Sequence, residues 1–253
     1  MLLSLFILAH ILTDFTFQSG DIARGKYTSF SKLLKHLMIY FFITLILTAY
    51  VFSSKLLLLI SVFTVLHGLI DFLKIKIERR YSEKLSLELL FVDQIIHILI
   101  FLIFYPIYST FSIHPYFIAV HNYLQDLYPY LSTIDYNNMI FVIATLTIVI
   151  FNFKGSNIIV GKVLKKYKAN YEESENSKGW AIGNLERILV ILFVLLNNYA
   201  LIGLLFTAKS LIRFKEVEES KAKNQNFVEY YLIGTFTSLL IAIISGLVIN
   251  LMI

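Results

Sequence analysis

The sequence predicts an all-α protein, a polytopic transmembrane helical bundle of six or seven hydrophobic segments. Three observations lead there. Hydrophobic residues fill 58% of the 253 positions, against roughly 45–50% in soluble domains. Charged residues make up only 15% and gather between apolar runs. The runs themselves approach the roughly 20 residues that cross a bilayer core as a helix.

In chain order the runs are 2–18, 33–53, 56–76, 88–107, 137–153, 188–208 and 228–253. The first begins at Leu2 with no basic region before it and no small-residue cleavage site after it, and it contains His10 and Asp14. It is therefore expected to stay as the first helix rather than act as a signal peptide. Between the first two runs, Ile22, Tyr27 and Phe30 recur at helical spacing beside Arg24 and Lys26. That stretch is expected to lie along the membrane surface.

Loop charge sets the expected orientation. Arg24, Lys26, Lys32 and Lys35 follow the first run, and Lys74, Lys76, Arg79, Arg80 and Lys84 follow the third. Lys154, Lys162, Lys165, Lys166 and Lys168 follow the fifth, whereas 109–138 holds no Lys or Arg. Basic loops stay cytoplasmic. The chain is thus expected to cross a membrane with 108–136 and the N-terminus outside. Run 188–208 breaks the rule, with Lys178 and Arg187 on one side and Lys209, Arg213 and Lys215 on the other. A re-entrant hairpin bending near Asn197-Asn198 restores it, since irregular backbone is tolerated at depth when buried in protein; a straight seventh span is the alternative. The expected organisation is a four-helix unit 1–107, the outer loop 108–136, and a C-terminal unit 137–253 with a cytoplasmic loop 154–180.

Several function classes are excluded. Absence of cysteine removes disulfides, thiolate metal sites and cysteine nucleophiles. No glycine-rich phosphate loop, dinucleotide fingerprint or Ser/His/Asp spacing occurs. The net charge of +5 sits in loops without interleaved aromatics, so the expected partner is the lipid bilayer and not nucleic acid.

The chemistry-bearing pattern is a set of His–Asp pairs. His10 and Asp14, His67 and Asp71, and Asp93 and His97 are each four residues apart, one turn along one helix face. The third pair is reversed, and its helix runs the opposite way. At about 1.5 Å per residue, Asp14, Asp71 and Asp93 fall roughly 6–8 Å from the cytoplasmic end, and His10, His67 and His97 roughly 12–14 Å. An aspartate layer over a deeper histidine layer results. His36 is a candidate seventh member, with Gln18, Lys74 and Gln94 nearby. A carboxylate in a spanning helix costs about 3 kcal/mol and so faces the bundle interior with a partner. One or two divalent ions (Zn, Mn or Fe) would relieve the repulsion, because imidazole and carboxylate suit them. His10, Asp14, His36, His67, Asp71, Asp93 and His97 are the candidate ligands. Asp14, Asp71 and Asp93 are also the candidate catalytic carboxylates. A hydrogen-bonded packing network and a proton or ion relay are the alternatives.

The run His10-x3-Asp14-Phe15-x2-Gln18, His36, His67-x3-Asp71-x2-Lys74, Asp93-Gln94-x2-His97 resembles the bacterial membrane family called domain of unknown function 3307. Ile182-Gly183-x-Leu185-Glu186-Arg187, Ala208-Lys209-Ser210-x2-Arg213-Phe214 and Glu229-Tyr230-x-Leu232-Ile233-Gly234-Thr235-x2-Ser238 are similar to longer members. A more distant likeness is to inner-membrane proteins labelled metal-dependent hydrolases.

The leading expectation is a membrane-embedded, metal-dependent hydrolase acting on a lipid or small phosphorylated compound at the cytoplasmic face. The alternatives are a metal-ion or proton transporter and a non-catalytic scaffold or sensor. Gln18, Lys74, Gln94, Lys209 and Arg213 are the candidates for substrate or anionic headgroup binding. Lys209 and Arg213 share a helix face and could instead pair with Glu186 and Glu229.

Overall fold

Several long helices bury polar side chains among apolar ones and expose large apolar residues. The computed structural model describes residues 1–81, 85–133, 135–167, 179–212, 214, 218 and 227–253, and these contain helices and turns but no strand. Helix α1 (Leu2–Ile11) continues into a π-helical turn, Leu12–Phe17. The short α2 (Gly20–Gly25) is capped by the Ser19 hydroxyl, which accepts from the Ile22 amide. Then come α3 (Phe30–Thr48), α4 (Ser54–Tyr81) and α5 (Ser86–Ile103). The connection from α5 to the next long helix carries α6 (Tyr105–Tyr108) and α7 (Pro115–Leu127). Helices α8 (Tyr136–Tyr167), α9 (Gly179–Leu195), α10 (Ala200–Ile212) and α11 (Phe227–Asn250) complete the chain.

Five stretches are long and apolar enough to cross a membrane: Phe30–Val51, Ser54–Tyr81, Ser86–Ile103, Tyr136–Lys165 and Val228–Asn250. Leu2–Phe17 and Ala200–Ile212 are apolar but shorter. The apolar run 188–208 is not one helix. It breaks between α9 and α10, where Asn197 adopts a positive φ of 53°, a conformation asparagine tolerates better than most residues.

The chain forms two compact units, Met1–Thr147 and Ile148–Ile253. In the first, α1 packs on α3, α3 on α4, α4 on α5, and α5 back on α1. Helix α3 shows the inverted pattern. It buries His36, Tyr40, Thr44 and Thr48 at four-residue steps. It exposes Leu34, Met38, Phe42 and Ile46 at the same steps. Such a surface suits hydrocarbon rather than water. The buried threonines satisfy their hydroxyls on the backbone of the preceding turn, as Thr44 does on Tyr40 and Thr48 on Thr44. In the second unit α9 packs along α11 and against α10.

Candidate metal centre in the first helical unit

Each polar side chain of the site is delivered by a local feature of its helix. Thr13 donates its hydroxyl to the Ala9 carbonyl at 2.8 Å. That bond competes with the α-helical ladder, and the turn carrying Asp14 widens into a π-helix, a feature that gathers at functional sites. On α4, Gly68 lets α3 come close: a Cβ there would stand 2.8 Å from Leu37 Cδ1. The adjacent His67 thereby reaches His36, their Nε2 atoms 3.0 Å apart.

Asp14 is the hub. Its Oδ1 lies 3.3 Å from His36 Nε2 and 3.4 Å from His67 Nε2, and its Oδ2 lies 3.7 Å from His10 Nε2. Gln94 donates its amide to Asp14 Oδ2 at 3.4 Å and to Asp93 Oδ2 at 3.2 Å, and its Oε1 lies 3.2 Å from His10 Nε2. The His97 ring stacks on His10 at 4.3 Å and stands 4.5 Å from His67. Tyr40 lies parallel to His67 at 4.6 Å. Four helices thus bring all seven predicted ligand residues into one cluster.

The other two carboxylates are held by lysines. Lys26 donates to Asp71 Oδ2 at 2.7 Å and to Gln18 Oε1 at 3.3 Å. Lys74 donates to Asp93 Oδ2 at 2.8 Å. Beside them Tyr27 donates to Glu78. Burial, together with that carboxylate, pushes the Tyr27 phenol up from its ordinary range, so it stays a neutral donor.

On the far side of the histidines the interior becomes apolar. Phe6, Phe63 and Phe101 sit one turn beyond His10, His67 and His97, and join Leu56, Ile60 and Tyr108 in one buried cluster. Phe6 meets Phe63 edge-on at 5.0 Å and Tyr108 at 5.3 Å. The bundle therefore reads in layers: lysine-bound carboxylates, imidazoles, then an aromatic plug.

Two overlapping sets of donors could hold an ion, His10–His67–His97 and Asp14–His36–His67, with the ligand atoms of each set within 4.8 Å of one another. The same residues also carry unsatisfied polar atoms. His10, His36 and His67 Nδ1, His97 Nε2 and Asp14 Oδ1 are buried without a hydrogen-bond partner. Buried polar atoms left in that condition call for an explanation, and imidazole nitrogen with carboxylate oxygen is a donor set that fits Zn, Mn or Fe.

Among the predicted headgroup residues, Gln18, Lys74 and Gln94 belong to this cluster. Lys209 lies in the second unit, bonded to Glu186 at 2.6 Å, the pairing alternative. Arg213 lies outside the described residues. Lys26, read from the sequence as loop charge, is the member that spacing could not reveal. It reaches Asp71 because α2 folds back over the end of the bundle.

These features define a class, an α-helical protein of the membrane type with ionisable groups inside and apolar side chains outside. Residues 2–125 match the family described as "Protein of unknown function (DUF3307)", and that stretch of the chain belongs to it. The matched part contains every residue of the His/Asp cluster; the C-terminal motifs lie beyond it. Neither the curated proteins nor the solved structures contain a match, so the hydrolase likeness gains no support there.

Proposed function

We propose that the first unit is a metal-dependent hydrolase embedded in the bacterial inner membrane, with its N-terminus outside and its His/Asp site facing the cytoplasm. The observation that carries the reading is the pair of overlapping buried donor sets, His10–His67–His97 and Asp14–His36–His67, within one cluster. The two donor sets share His67, which favours a single ion over two at once. Bound there, a divalent ion supplies Lewis-acid polarisation of a phosphoryl or acyl oxygen and a more acidic water.

The protein's own groups divide the remaining work. Asp14 contacts His10, His36, His67 and Gln94 and, among the described residues, ion-pairs with no lysine, so it is the carboxylate best able to ligate an ion or take a proton from water. Asp71 and Asp93 are neutralised by Lys26 and Lys74. They hold these ammonium groups at the basic end of the bundle, where an anionic lipid headgroup or small phosphorylated substrate would meet them. The aromatic plug beyond the histidines favours a site entered from one end over a path through the bundle, and ranks the transporter reading lower.

The test is elemental analysis of detergent-purified protein beside a His67→Ala variant matched for elution volume and unfolding temperature. About one equivalent of zinc, manganese or iron is expected in the parent. The variant should bind it roughly 100-fold more weakly, since it loses the ligand common to both sets. A parent that neither carries nor takes up metal would reduce the cluster to a packing network.

A further inference from the structure

The second unit holds a polar feature that shares no residue with the His/Asp cluster. Arg187, on α9, is 2% exposed. Its Nε donates to the Asn152 carbonyl at 3.0 Å, and its Nη1 to Ser238 Oγ at 2.8 Å. Its Nη2 donates to Asn157 Oδ1 at 2.6 Å and also to Asn184 Oδ1. All four acceptors are neutral, and among the described residues no carboxylate ion-pairs with this guanidinium. A buried cation with no carboxylate in ion-pair contact is costly; this one is held by four neutral acceptors, with the Glu186 carboxylate acting on it from a longer range.

Guanidinium carries five N–H groups, and these four bonds leave one on Nη1. Gly183 stands beside that atom: a Cβ there would lie 3.3 Å from Nη1. Both residues line an open cavity of ≈ 440 Å³ walled by α8, α9, α10 and α11. Among the described residues Lys165, Lys209 and Glu186 also line it. Lys209 binds Glu186, whereas Arg187 has no carboxylate in ion-pair contact among the described residues. The rest of the wall includes Leu164, Trp180 and Tyr231, an apolar and aromatic surface next to a cationic one.

We infer that this cavity is a binding site for a phosphate-bearing anion, with Arg187 as its fixed cation and Gly183 as the gap that keeps Nη1 accessible. A phosphate oxygen would take the remaining Nη1 hydrogen and place a negative charge in direct contact with the guanidinium. The phosphate could come from a lipid headgroup, whose acyl part would lie along the aromatic wall, or from a free anion.

Trp180 is the only tryptophan in the chain, so its fluorescence reports filling of the cavity. Full-length protein in a neutral detergent is titrated with dihexanoyl phosphatidic acid, dihexanoyl phosphatidylcholine and inorganic phosphate. A saturable change with phosphatidic acid is expected, and a much weaker response to the zwitterionic lipid. Gly183→Val leaves the acceptors of Arg187 in place but fills the gap. It should raise the midpoint by about tenfold, the worth of one charge-assisted hydrogen bond. Arg187→Lys, which keeps charge without the fork, should do the same. Competition by inorganic phosphate supports the site with a free anion as its ligand; binding of the lipid without such competition supports it with a headgroup. No saturable response to either phosphate probe, or an unchanged midpoint in a Gly183→Val protein of normal unfolding temperature, overturns the inference.

Discussion

The two helical units handle buried charge in opposite ways. In Met1–Thr147 the ionisable groups compensate one another: Lys26 with Asp71, Lys74 with Asp93, and Asp14 among three histidines. In Ile148–Ile253 a single guanidinium is held by an asparagine carbonyl, two asparagine amides and a serine hydroxyl. A mutually paired cluster can exchange partners and so can admit a cation among its carboxylate and imidazole donors. A cation held directly by neutral dipoles keeps its charge available to an anion. Similar raw material, polar side chains on apolar helices, thus suits ligands of opposite sign.

The contrast is broken most severely in the first unit. Lys26 and Asp71 are both nearly excluded from solvent. Either Asp71→Asn or Lys26→Met alone should cost about 3 kcal/mol in detergent unfolding, because it strands the other charge. The double variant should return to within about 1 kcal/mol of the parent. Additive losses would mean that the two groups are not a pair.

The second unit should respond more mildly to loss of its central charge. Arg187→Met removes the cation together with its desolvation cost, and the neutral acceptors are left to repair themselves. A loss of about 2 kcal/mol is expected from four forfeited hydrogen bonds partly offset by that relief. A loss larger than that of Asp71→Asn would invert the comparison. The smallest effect belongs to Lys209→Gln. Its ion pair with Glu186 is part-exposed, so unfolding should shift by only about 0.5 kcal/mol.

Legibility from sequence followed the same divide. The His–Asp pairs were visible because each pair repeats one spacing inside a run where charge is expensive, and the reversed order in Asp93–His97 already signalled an antiparallel helix. Their convergence needed the actual packing: the π-helical turn at Asp14, and the close approach of α3 at Gly68 that brings His36 to His67. Arg187 was read as a loop charge flanking an apolar run. Helix spacing links it to Asn184, three residues back on the same helix, but not to Asn152, Asn157 and Ser238, which come from two other helices and up to 51 residues away.

The sequence alone determined the helical class, the apolar segments and the one-turn pairing of the histidines and aspartates along their helices, because helix rise and apolar patterning act locally along the chain. Tertiary structure alone decided which charges meet. It placed Lys26 on Asp71, left Asp14 to the histidines, and surrounded Arg187 with neutral oxygens. Such pairings depend on distances of a few ångströms between helices, and a one-dimensional pattern carries no record of them.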